Sequence, residues 1–148
     1  MVMDASQRLL SSASGRHLGF MTDFKKLKVW EKAHLLAVQT HKLATEIREP
    51  YHSGLRNQMT RASASIPTNI VEGSRQASNK EFARFLRYSM NSASELEYHF
   101  ILARDIGATP EEFSDSLIAL TVEVRKMLYG LLERVLSSKS PSPQHNIT

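Results

Sequence analysis

Cysteine is absent from this 148-residue chain. That removes a disulfide framework, thiolate metal sites and a cysteine nucleophile, and it fits a reducing, cytoplasmic compartment. Aromatic residues are scarce at 7%, with one tryptophan. No apolar run approaches the roughly 20 residues that span a bilayer. Period-two alternation, the mark of a half-buried strand, is sustained nowhere. The glycine-rich turn that a phosphate loop needs after a strand is missing, and so is the Gly-x-Ser-x-Gly turn of a serine hydrolase.

The sequence does contain helical periodicity. Ala33, Leu36, Ala37, Thr40, Leu43, Ala44 and Ile47 recur at three- and four-residue steps, and Glu49-Pro50 ends that run. A second stripe is Leu55, Met59, Ala62, Ile66, Ile70 and Gly73. The third is Phe82, Phe85, Leu86, Ser89, Ala93, Leu96, Phe100 and Ala103, opened by Ser78 as N-cap with Glu81 in capping-box spacing and closed by Gly107. The fourth follows Thr109 as N-cap with Pro110 at the first helical position. It runs Phe113, Leu117, Leu120, Val124, Met127, Leu128, Leu131 and Val135. Short turns between amphipathic helices predict an all-α, antiparallel up-down-up-down four-helix bundle over residues 23–137. Residues 1–22 are Ser-rich with Asp4 the sole acid. They are expected to be a disordered extension ahead of a natural start at Met21, and the Ser/Pro-rich residues 138–148 a disordered tail.

The stretch RASASIPTNIVEGSRQ, Arg61 to Gln76, carries a proline inside the second stripe. Pro67 has no N–H for the carbonyl of Ser63, so a kink is predicted there. Ser63, Ser65 and Thr68 offer hydroxyls to freed backbone groups. Asn69 and Glu72 lie near the apolar stripe and, if buried, need partners such as Arg61 or Gln58. The stretch reads as an architectural joint made of Pro67, Asn69, Glu72 and Gly73.

The formal net charge of +4 is unevenly distributed. Residues 50–90 hold Arg56, Arg61, Arg75, Lys80, Arg84 and Arg87 against Glu72 and Glu81, a local excess of +4; residues 91–136 carry −4. The basic segment is a candidate nucleic-acid surface. The bland reading pairs it with the acidic half of the same fold or of a neighbouring subunit. Trp30 either stacks on a base or covers the open end of the core. Metal ligation has little to build on. His34 and His41 are two turns apart, and Glu31–His34 is a single Glu-x-x-His where a di-metal bundle uses two. Glu95, Glu97 and His99 lack that spacing. The numerous serines suit close helix packing. No catalytic, cofactor or metal site is assigned.

Several ordered motifs carry a resemblance. Phe24-x-x-Leu27-x-Val29-Trp30-x-x-Ala33 opens the pattern. Gly54-Leu55-x-x-Gln58-x-x-Arg61-Ala62-x-x-Ser65-Ile66-Pro67-x-Asn69-Ile70-x-Glu72-Gly73 follows, then Phe82-x-x-Phe85-Leu86 and Ser94-Glu95-Leu96-Glu97. Over about residues 23–136 the chain resembles the four-helix-bundle family named after proteins encoded in 23S ribosomal RNA intervening sequences. It departs at His52-Ser53, where an acidic residue is common, and at Asn91, where glycine is common. The resemblance implies an up-down bundle assembling as a ring-shaped homo-oligomer, often a pentamer, with no catalytic activity attached. A related branch comprises accessory proteins of diversity-generating retroelements, basic pentameric barrels that contact a reverse transcriptase and nucleic acid. The RNA in the family name denotes genomic location. Two functions follow as expectations: an oligomeric scaffold binding RNA or a nucleoprotein partner, or a self-assembling protein whose charges serve subunit contacts.

Overall fold

The computed structural model describes residues 23–48 and 50–138. Glu49, the expected extension over 1–22 and the tail from 139 onward lie outside the described residues. A 3₁₀ turn, Phe24–Lys26, leads into α1 (Lys28–Ala44), α2 (Ser53–Ser74), α3 (Asn79–Asp105) and α4 (Glu111–Ser137). There is no strand among the described residues. Each helix packs against two others: α2 on α3, α3 on α4, and α1 on both α2 and α4. The four stripes meet in one core with Leu36, Leu43, Met59, Ile66, Ile70, Phe82, Leu86, Leu96, Phe100, Leu117 and Leu128 fully buried, except that Phe113, the first residue of the fourth stripe, is exposed. This is a four-helix bundle, and apolar periodicity is what builds it.

Cross-helix contacts fix which turns face each other. Ser65 Oγ meets Ser92 Oγ at 2.8 Å, and Ser89 Oγ donates to the Ile66 carbonyl at 2.7 Å. Asn79, at the start of α3, donates to Ser138 Oγ at 2.6 Å just past the end of α4. Ser138 thus caps α4 and anchors to α3. At the other end of that pair Arg104 Nη1 reaches Asp115 Oδ1 at 2.8 Å. Trp30 is half-buried against the core, edge-on to Phe24 and stacked on His34, with ring centroids 5.0 and 5.2 Å away. It covers one end of the core, as the bland reading expected.

The helix ends follow local chemistry, with two corrections. Ser78 Oγ accepts from the Glu81 N–H at 3.1 Å, the expected N-cap. Gly107 adopts φ +74°, with Gly107 N–H bonded to the Arg104 carbonyl and Ala108 N–H to the Ala103 carbonyl. That pair of bonds is a Schellman stop, which needs a left-handed residue. Gly107→Ala is expected to cost about 1–2 kcal/mol of stability, read by urea unfolding, because an L side chain is strained there; an unchanged midpoint would contradict it. Thr109, however, is not the cap of α4. Pro110 is, at φ −58°, ψ 134°, and the buried Thr109 hydroxyl bonds Ser114 Oγ at 2.6 Å instead. Ile47 belongs to the core but not to α1, which stops at Ala44 and continues as tight turns. Its stripe outlasts its helix.

Helix α2 runs through Pro67 without interruption. Proline's missing N–H frees the Ser63 carbonyl, and side chains crowd the neighbouring acceptors. Thr68 Oγ1 donates to the Ala64 carbonyl, Asn69 Nδ2 to that of Ser65, and Ser89 Oγ to that of Ile66. Asn69 also donates to Ser65 Oγ at 3.0 Å. Its partners are therefore one turn back on its own helix rather than Arg61 or Gln58. Glu72 is exposed to solvent rather than buried, so it needs no such partner. Replacing Pro67 by Ala restores an N–H but loses buried ring surface. Those terms oppose, so the variant is expected to keep its helical circular dichroism and stay within about 2 kcal/mol of the parent; loss of helicity would contradict this.

Candidate nucleic-acid interface

The sequence-predicted cations occupy α2, the α2–α3 turn and the first half of α3. Arg61, Arg75, Lys80, Arg84 and Arg87 are exposed, and Arg56 is half-buried. Their pairing is the informative part. Arg104 bridges Asp105 and Asp115, Lys32 pairs with Glu123, and Arg125 with Glu97. The acidic half is thus partly neutralised, by Arg104 and Arg125 from within it and by Lys32 from α1. Of the basic set, Arg84 pairs with Glu81, one turn earlier on α3. Among the described residues, Arg61, Arg75, Lys80 and Arg87 make no ion pair. Internal pairing with the acidic half therefore does not account for them.

A helix advances about 100° per residue, so positions three, four, seven and eleven apart share a face. Lys80, Arg84, Arg87, Asn91, Glu95 and Tyr98 follow that spacing, and every one is exposed. Together they form the outward face of α3. Arg84 is fixed within it. Its guanidinium donates to Glu81 Oε2 at 2.7 Å and to the Tyr88 hydroxyl at 3.3 Å, and it lies 5.1 Å from the Phe85 ring centroid. The Glu81 hydrogen bond, then the one to Tyr88, raise the arginine's pKa still further and keep it charged. Tyr98 is 59% exposed and Tyr88 42%. Large aromatics open to water beside cations are what a single-stranded nucleic-acid surface requires: charges track phosphates and rings stack bases. Sequence reading missed both tyrosines, although Tyr88 follows Arg84 by four residues and Tyr98 follows Glu95 by three.

Beside this face, α2 and α3 enclose a cleft of about 500 Å³. From α2 come Gly54, Asn57, Gln58, Arg61, Ala62 and Ser65; from α3, Ser92 and Glu95. Arg61 is thus separated from the other cations and placed opposite a carboxylate. Gly73, another residue of the central motif, faces Phe82 and Phe85 inside the bundle, while Pro67 is buried. The predicted set is therefore split between a surface and the core. No group of three or more metal-ligating side chains occurs among the described residues. No helix among them is long and apolar enough to cross a membrane.

Fold and surface together define a small all-α bundle with an exposed basic and aromatic helix face. A family model, 23S rRNA-intervening sequence protein, matches residues 25–130. The chain belongs to that family. A solved structure from Bacteroides thetaiotaomicron VPI-5482, described as a protein with unknown function from the S23 ribosomal protein family, is similar in fold. It has a TM-score of 0.67 and 24% identity, covering 71% of this chain and 98% of that one. No curated protein matches the chain.

Proposed function

We propose that this protein is a non-enzymatic, ring-forming scaffold that binds single-stranded RNA, alone or within a nucleoprotein, through the outward face of α3. The observation that carries the reading is the row Lys80, Arg84, Arg87 with Tyr88 and Tyr98 exposed beside it. Phosphates bind the cations, with Arg75 just past the end of α2 extending the basic surface and Arg61 standing apart from it on α2, and bases stack on the tyrosines. A bundle that repeats this face around a ring, a pentamer by family resemblance, presents it several times to one strand and gains by multivalency. A bend of α2 at Pro67 sets the angle at which the α2–α3 pair meets its neighbours.

Fluorescence anisotropy with a labelled single-stranded RNA at low salt tests the reading. Retention of the strand is expected. Tyr98→Ala is expected to weaken binding by about 1–3 kcal/mol, the worth of one base stack, while duplex RNA, whose bases are already stacked, responds little. Absence of binding at low salt overturns the proposal.

One observation favours a second reading. Glu111 and Glu112 at the start of α4 are exposed and, like the free cations, unpaired among the described residues. If they receive the cations of a neighbouring subunit, Arg84→Glu with Arg87→Glu changes the mass seen by light scattering at unchanged helicity. If the charges serve RNA instead, the mass stays the same.

A further inference from the structure

We infer that the cleft between α2 and α3 accepts an unpaired base carrying an exocyclic amine, and so discriminates against uracil. This rests on the reading of α3 as a single-strand surface and adds a recognition element to it.

The cleft's chemistry is two-sided. Its floor is small, with Gly54 open to space and Ala62 buried, so nothing large fills it from within the chain. The Ser65 and Ser92 hydroxyls bond one another, and Ser65 Oγ also accepts from Asn69. They are already satisfied. The groups left to a ligand are the amides of Asn57 and Gln58, the Arg61 guanidinium and the Glu95 carboxylate. Arg61 and Glu95 line one cleft yet form no ion pair. A cation and a carboxylate held apart across such a volume suit a ligand with an anion at one end and an N–H donor at the other. A nucleotide is such a ligand. Its phosphate suits arginine, amides pair with base edges, and a carboxylate accepts from an amine. The volume lies within the range of small-ligand pockets.

Glu95 is also oriented. His99, one turn on, is largely buried and its Nε2 lies 3.3 Å from Glu95 Oε1, while its buried Nδ1 has no partner. Nε2 donating to one carboxylate oxygen leaves the other for a ligand. Glu95 further belongs to the exposed row of α3, two turns beyond Arg87 and one turn before Tyr98. At about 1.5 Å per residue it lies roughly 12 Å along the axis from Arg87. A strand tracked by the cations and stacked on Tyr98 would pass the cleft mouth. Uracil presents no exocyclic amine, and its one base-edge donor, N3–H, lies between two carbonyls, so Glu95 would meet an acceptor on either side of that donor.

The test measures anisotropy of labelled oligo-A, oligo-C and oligo-U strands of equal length on the full chain at low salt. Oligo-A and oligo-C are expected to bind about tenfold or more tightly than oligo-U. In Glu95→Ala, an exposed position where folding is secure, that preference is expected to vanish while oligo-U affinity holds or rises. Gln58→Ala serves as a second variant, expected to shrink the preference. If the parent binds all three alike, or Glu95→Ala weakens all three equally, the cleft inference fails and the α3 surface stands. If no strand binds, both fail.

Discussion

Replacing Gly73 with alanine is expected to destabilise the bundle by about 1–3 kcal/mol, the cost of overpacking a filled core. Gly73 lies inside α2 rather than beyond its end, so flexibility is not its purpose. A Cβ there would stand 2.7 Å from Phe82 Cδ2 and 3.0 Å from Phe85 Cβ. Phe82 is fully buried and cannot swing into water. The backbone of α2 must instead withdraw from α3, opening the most extensive helix pair of the fold. Against a total stability of about 5–15 kcal/mol for a domain of this kind, the loss is large. Gly130 and Gly54 provide the control, since a Cβ at either meets nothing within 4 Å. Gly130→Ala, mid-helix in α4, is expected to gain up to about 1 kcal/mol from helix propensity alone. Urea unfolding followed by circular dichroism separates the cases. If Gly73→Ala matches Gly130→Ala, the close α2–α3 packing is not what the glycine provides.

The second large effect concerns binding. The triple variant Arg75→Glu, Lys80→Glu, Arg87→Glu reverses three exposed cations that make no ion pair among the described residues. None holds the fold together, so the thermal midpoint is expected to stay within a few degrees. Affinity for single-stranded RNA is expected to fall on the order of 100-fold or more at low salt. Three contacts of about 1 kcal/mol are lost and replaced by repulsion. Arg84 is left in place because Glu81 and Tyr88 hold it as part of the surface. A variant that binds as the parent does would move the interface elsewhere.

Much of the bundle was legible because burial imposes its period on sequence. The stripes from Ala33, Met59, Phe82 and Leu117 onward reappear as the core, and Ser78 and Gly107 act as the start and stop signals they resemble. What escaped were contacts set by distant turns. Nothing local shows that Gly73 is small because Phe82 lies over it. Nothing local shows that Thr109 would prefer Ser114 to the backbone of α4, or that Asn69 would bond Ser65. The same holds for the surface. Charge counting found the basic segment, but which cations lack partners depends on where acidic side chains fall after folding. Glu97 and Glu123 are taken by Arg125 and Lys32 from other helices, and that leaves Arg75, Lys80 and Arg87 open. Gln58, Arg61 and Glu95 share a cleft only once α2 lies against α3.

The most direct test of the α3 surface is the salt dependence of single-strand binding. Each phosphate neutralised contributes about 0.7 to the slope of log K against log salt for a single strand. Affinity of the parent for single-stranded RNA should fall steeply as salt rises, and the triple reversal should flatten that slope by about 2. A parent that binds no strand at low salt, or a triple variant with the parent's affinity and slope, would contradict the account.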